Sequence, residues 1–137
     1  MLYRGGDQML NVEKIHHVAI IVSDYEKSKR FYTEVLGFTI LKEVYREGRD
    51  SYKLDLEVNG VYQIELFSFP NPPKRVNGPE AVGLRHLAFE VRDVEVEVRN
   101  LERAGVECEA IRVDEITGKK FTFFKDPDGL PLELYEW

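Results

Sequence analysis

Ile15-His-His-Val-Ala-Ile-Ile-Val-Ser-Asp24 and Leu84-Arg-His-Leu-Ala-Phe-Glu-Val-Arg-Asp93 are two versions of one phrase. His17 aligns with His86, Ala19 with Ala88, Val22 with Val91 and Asp24 with Asp93, all at a single offset. Each phrase runs into a helix-like segment that ends near a glycine, Gly37 in the first copy and Gly105 in the second. Further on, Ile64-Glu65-Leu66 mirrors Leu132-Glu133-Leu134, after the turn-like pairs Asn59-Gly60 and Asp128-Gly129. The offset slips by one residue there, so one copy is expected to carry a bulge or a longer turn. A chain that repeats itself in this way is two copies of one folding module.

Working outward, each copy has the same order of elements. Residues 15–22 and 84–91 are apolar and β-branched enough for strands. Asp24 and Asp93 stand at N-cap positions, and helices are expected over 25–36 and 94–104. Phe31, Val35 and Leu36, and then Val94, Val98 and Leu101, fall at helical spacing for a buried stripe. Gly37 and Gly105 are natural helix stops. Strands are expected at 39–45, 52–58 and 62–69, and again at 107–113, 121–125 and 132–137. The class is therefore α+β, with two tandem βαβββ modules at 13–69 and 83–137. Residues 70–82 between them hold four of the six prolines and read as a linker. Residues 1–12 read as a flexible extension.

Strand side chains alternate between two faces. Val18, Ile20 and Val22 share the face that suits packing on the helix, which leaves His17, Ala19 and Ile21 on the other. In the second copy Leu87, Phe89 and Val91 pack, and His86, Ala88 and Glu90 face away. Glu65 and Glu133 sit between apolar neighbours that take the buried face, so both carboxylates fall on the histidine face. A lone strand histidine, or a lone glutamate between apolar residues, is ordinarily structural. Recurrence of both types at equivalent positions is what points to a shared ion. If the modules pair about a pseudo-twofold axis, His17, Glu65, His86 and Glu133 converge on one divalent metal; Zn, Ni, Fe, Mn and Co all suit such a mixed set. His16 falls on the opposite face, opposite Arg85 in the repeat, and reads as a flanking residue.

The bulk properties set limits. The chain has 137 residues, 43% of them hydrophobic and 12% aromatic, enough for a real core. A net charge of −6 and the lack of any basic run argue against nucleic acid or an anionic membrane as partner. Cys108 is the only cysteine, so no internal disulfide forms. No apolar stretch has the length of a membrane span or a secretory signal, so the cytoplasm is the expected compartment.

His17–Asp24, Phe31-Tyr-Thr-Glu-Val-Leu-Gly-Phe38, Gln63-Ile-Glu-Leu66, Leu84–Phe89 and Phe123-Phe-Lys-Asp-Pro-Asp-Gly-Leu-Pro-Leu-Glu-Leu134 together resemble the vicinal oxygen chelate superfamily. That group includes glyoxalase I, bleomycin-resistance proteins and extradiol dioxygenases, and the resemblance covers residues 14–137. It implies sheets that curl round a metal with helices outside, ligands equivalent to His17, Glu65, His86 and Glu133, and a homodimer in which ligands are sometimes shared between chains. Glutathione-dependent glyoxalases commonly carry an Arg four residues after the first ligand His and an Asn four after the first ligand Glu. Here those positions are Ile21 and Phe69, so the glutathione clamp is not matched. The nearest likeness is to glyoxalase-like bacterial proteins without an assigned substrate.

An octahedral ion with four protein ligands keeps two positions, enough to chelate adjacent oxygens of a small hydroxycarbonyl or thiohemiacetal. The resemblance then implies a lyase or isomerase that moves a proton between neighbouring carbons, with Glu133 as base and Glu65 as the alternative. The rivals are an extradiol-type dioxygenase, a drug-binding protein of the same fold and, less closely, a thiol transferase. Phe67, Phe69, Tyr135 and Trp137 share the face of the two glutamates and are candidate pocket walls. Lys119 and Lys120 are candidate anion contacts on a hairpin tip, although a solvated turn explains them as well; Arg46 and Arg49 stand similarly between strands.

Overall fold

The computed structural model describes residues 9–137, and most of the expected N-terminal extension lies outside them. Residues 9–17 carry no regular structure, and the first strand, β1, is Val18–Val22. Helix α1 (Tyr25–Arg30) follows, then β2 (Thr39–Arg46), β3 (Ser51–Val58) and β4 (Val61–Ser68). The second copy gives β5 (Leu87–Val91), α2 (Val94–Arg103), β6 (Arg112–Val113), β7 (Lys120–Lys125) and β8 (Pro131–Glu136). The strands form two four-stranded mixed sheets, ordered β1-β4-β3-β2 and β5-β8-β7-β6. In each, the first strand runs parallel to the last, and the remaining pairs are antiparallel. The fold is α+β with two tandem modules.

The helix starts follow from their caps. Asp24 accepts from the Lys27 backbone N–H and Asp93 from that of Val96, each satisfying a donor that the first helical turn leaves free. The helical run that begins with α1 stops at Gly37 (φ 77°) and α2 stops before Gly105 (φ 83°), where the chain takes positive φ. Between cap and stop the first copy has one more residue than the second. That residue is absorbed in a π-helical turn, Phe31–Val35, where the Leu36 N–H donates to the Phe31 carbonyl at 3.0 Å. The slip expected just before Glu65 and Glu133 is a separate one and falls in the hairpin turn, where two residues join Val58 to Val61 and five join Lys125 to Pro131. Strand irregularities also occur, at Ile40/Lys42 and Leu56/Glu57.

The strand expected over 107–113 shrinks to Arg112–Val113. The Glu109 N–H donates to the Phe123 carbonyl, and the Thr122 hydroxyl donates to the Glu109 carbonyl at 2.7 Å. These isolated bonds hold the segment beside β7 without a ladder.

The predicted alternation holds in β1, where Ile20 and Val22 are buried and Ile21 is 57% exposed. Leu54, Leu56, Ile64 and Leu66 complete the first sheet's buried face, and Phe124, Leu132 and Leu134 supply the second's. α2 contributes Val94, Val98 and Leu101, the predicted stripe. The modules meet through one continuous core: Phe31 packs near Phe124 and Phe38 edge-on to Phe89. Two polar contacts cross the same seam. The buried Tyr32 hydroxyl donates to Asp126 at 2.8 Å, and the Ser23 hydroxyl donates to Asp128. Burial pushes the Tyr32 phenol up and also raises Asp126, against the lowering effect of the Tyr32 bond. Among the described residues no helix is long and apolar enough to cross a membrane.

Candidate functional site

The histidines and glutamates of the repeat meet in pairs. His17 stands one residue before β1, and Glu65 lies in β4, across from Ala19. Their closest atoms, His17 Nε2 and a Glu65 carboxylate oxygen, are 3.5 Å apart. In the second module His86 precedes β5 and Glu133 faces Ala88, with Nε2 and carboxylate oxygen 3.1 Å apart. The duplicated topology forces this, since parallel pairing of first and last strands sets each histidine diagonally beside its glutamate. The two pairs do not come together within one chain. Among the described residues no group of three or more His, Cys, Asp or Glu side chains is arranged to hold a metal ion. A cleft of about 830 Å³ beside the linker is lined by His86, and not by His17, Glu65 or Glu133.

The first pair sits in a polar network. Register places Asp55 directly across from Glu65, and Lys53 across from Phe67. Glu65 is only 6% exposed, and a carboxylate so buried needs donors. Tyr62 donates its hydroxyl to Glu65, and Lys53 Nζ lies 3.7 Å from the same oxygen while bonding Asp55 at 2.6 Å. Burial first, and then the bond to Glu65, pushes the Tyr62 phenol up, so it stays protonated as a donor. The second pair differs. The residues that face Glu133 and Tyr135 on β7 are Phe123 and Phe121, with the Phe123 ring edge-on to His86. One half-site is floored with charges, the other with aromatic rings.

The outward ring nitrogens also differ. His17 Nδ1 lies 2.8 Å from His16 Nδ1, so one imidazole donates to the other. If His17 is the donor, its Nε2 lone pair is free. His86 Nδ1 lies 3.3 Å from Arg85, which can only donate, so here Nε2 carries the hydrogen toward Glu133. A ligand role for His86 Nε2 requires Arg85, which also pairs with Glu80, to turn from Nδ1. His16 does not face away from His17 as the alternation rule implied. The strand begins at Val18, so the rule does not reach it, and its ring packs edge-on to His17 and Tyr62.

The remaining candidates scatter. Phe67 and Phe69 stack 6.2 Å apart on the Glu65 face, and Tyr135 stacks on Phe121 on the Glu133 face. The Tyr135 hydroxyl is tied to Thr117 and Asp114. Trp137 is 66% exposed beside Arg92. Lys119 bonds the Trp137 carbonyl, and Lys120 pairs at 2.6 Å with Glu95 of α2, on the helical side of its sheet and away from Glu133. The repeat that picks out the two glutamates does not pick out Tyr62, Lys53 or Asp55. The period of two along β3 carried the signal, because it puts 53 and 55 on the face of Glu65.

Two paired modules, each presenting an imidazole and a carboxylate on a helix-free face, define a class of protein. The chain belongs to the Glyoxalase/Bleomycin resistance protein/Dioxygenase superfamily, whose family model matches residues 14–134. It is 62% identical over 128 residues to the uncharacterized protein YaeR of Escherichia coli (strain K12), an alignment covering 93% of this chain and 99% of YaeR. It is also 62% identical over 125 residues to the uncharacterized protein YwkD of Bacillus subtilis (strain 168), covering 91% and 98%. The crystal structure of a glyoxalase family protein from Enterococcus faecalis, 50% identical, superposes with a TM-score of 0.84 over 90% of this chain and 98% of that one.

Proposed function

We propose that the protein is a metal-dependent lyase or isomerase of the glyoxalase I type. Each site would be completed by two copies, with His17 and Glu65 from one and His86 and Glu133 from the other. One observation carries this reading: each module holds an imidazole nitrogen and a carboxylate oxygen at ligand-to-ligand spacing. Two donors about 2.1 Å from one ion, at roughly a right angle, stand about 3 Å apart. The contacts at 3.5 and 3.1 Å fit that spacing. Four such donors would suit Zn, Ni, Fe, Mn or Co. Apolar surface on the outer strands supports a second copy: Ile21, Ile40, Leu41, Val44 and Val113 are all exposed.

A bound divalent ion supplies Lewis-acid stabilisation of negative charge on the oxygens of a chelated hydroxycarbonyl or thiohemiacetal. The protein's own part is to move the proton. Glu65 is buried, and Tyr62 and Lys53 hold it in position. Glu133 has the His86 ring and the Phe123 wall about it and receives no tyrosine or lysine donor among the described residues. The freer carboxylate is the better base: Glu133 takes the proton from one carbon and returns it to its neighbour. Distant relatives support chemistry of this kind. One is named 2-epi-5-epi-valiolone epimerase, at 29% identity, and another Glyoxylase I 4, at 27%. Epimerisation is itself a proton transfer at carbon.

The test is element analysis of protein purified without added metal, followed by hemithioacetal assays with several thiols. Glu133→Gln is expected to keep the metal and lose turnover at least 100-fold. Full activity in that variant would remove Glu133 from the chemistry. Oxygen uptake with Fe²⁺ and a catechol would assign the protein to the dioxygenases instead.

A further inference from the structure

Beyond Glu65, the same face of the first sheet carries a group of cations that the proton transfer does not use. Arg46 closes β2 opposite the buried Ser51, which shares its face with Lys53 and Asp55. Its guanidinium lies 5.0 Å from the Phe67 ring centre and 5.7 Å from that of Phe69. Arg49, in the turn between β2 and β3, lies 5.4 Å from the Phe69 ring, and Lys53 lies 5.9 Å from the Phe67 ring. Three cations thus share two stacked aromatic rings.

Their pairing is uneven. Lys53 is claimed by Asp55, whereas among the described residues neither arginine has a carboxylate within ion-pairing distance. The nearby Asp50 carboxylate accepts instead from the Tyr45 hydroxyl. Arg46 spends one N–H on Ser51 Oγ at 2.8 Å, and its Nε is buried without an acceptor. Ser51 and the rings hold the guanidinium plane in place, so little side-chain freedom remains to be lost when an anion docks. Along β4, Phe67 lies one pleat beyond Glu65 on the same face, about 7 Å away.

We propose that Arg46 and Arg49 form an oxyanion subsite for the substrate. The substrate is then a hydroxycarbonyl or thiohemiacetal bearing a carboxylate or phosphate at the end remote from its chelating oxygens. This rests on the function proposed above, because it takes the Glu65 end of the face as the reacting end. It also explains how an anionic substrate is held in a chain with Ile21 and Phe69 where a glutathione clamp would stand.

The experiment has two arms. The first uses ¹⁵N-labelled, metal-free protein titrated with inorganic phosphate at constant ionic strength in chloride. Saturable shifts are expected in the Arg46 and Arg49 Nε–H signals, assigned from Arg46→Gln and Arg49→Gln. Arg46→Gln should weaken phosphate at least 10-fold, and Arg46→Lys should restore part of the loss. Shifts no different from those in chloride alone would overturn the subsite, whatever the metal does. The second arm uses metal-loaded protein and calorimetry with glutaric monohydroxamate, a chelator with a carboxylate tail, against the uncharged pentanohydroxamate. The charged probe should bind about 10-fold tighter to the wild type, and equally with the other to Arg46→Gln. Equal binding of the two to wild type would overturn the substrate assignment. If phosphate binds but neither metal nor hydroxamate is held, the metal reading fails and the anion subsite stands.

Discussion

Mixing two defective variants tests whether the metal site spans two copies. In His17→Ala every site lacks one imidazole, and in His86→Ala every site lacks the other. Because the chain holds His17 with Glu65 and His86 with Glu133 as separate pairs, a mixed dimer is not the average of its parents. One of its two sites lacks both histidines; the other draws His17 from one copy and His86 from its partner and is complete. Equal amounts that reassort at random give about half mixed dimers, so about a quarter of the wild-type sites return. Losing even an outer partner of a ligand costs about 10–100-fold in affinity, and losing a ligand should cost more. A competing chelator set about 100-fold below the wild-type limit will therefore strip both parents and spare the complete sites. The assay is metal retained after chelator dialysis, with mixed dimers counted by native mass spectrometry using an isotope label on one variant. Mixed dimers present without recovered sites would refute the shared arrangement.

Tyr32→Phe removes the donor to the buried Asp126 across the module seam. It should cost about 1–2 kcal/mol in equilibrium unfolding while leaving metal content unchanged. Glu43→Gln tests a charge-linked contact. Glu43 is held below its ordinary 4.5 by a hydrogen bond from Lys29 and then one from Tyr25. The unfolded chain binds this proton more readily, so the stabilisation is complete above 4.5 and fades as pH falls through the lowered folded value. Glu43→Gln should thus cost about 1 kcal/mol at pH 7, after allowance for solvent screening, and almost nothing in acid. Urea unfolding at several pH values checks it, and a pH-independent difference would contradict the linkage.

Much of this architecture can be read from the residues, because a duplication shows every signal twice. The Asp24 and Asp93 caps, the Val94–Val98–Leu101 stripe and the buried Ile20 and Val22 all follow from local rules that the repeat reinforces. The His–Glu pairs were legible for the same reason. What lay out of sight depended on pairing across distance. Nothing local distinguishes Phe31–Val35 from an ordinary α-helix; only the extra residue before Gly37 hints at the wider turn. Glu107 to Ile111 has a strand-like sequence, but its apolar members pack partly on the core and only two residues after it reach a ladder. Lys53 and Asp55 gain their meaning from the register with β4, which the chain sets through the turn at Asn59-Gly60.

Lys53 and Asp55 beside one glutamate, and Phe121 and Phe123 beside the other, make the two halves of the ancestral repeat unequal. If the two half-sites face one another as proposed, they have no internal twofold, and a guest lying across both would meet a different wall at each end. Chain order would then decide which end of an unsymmetrical guest meets the charges and which meets the rings.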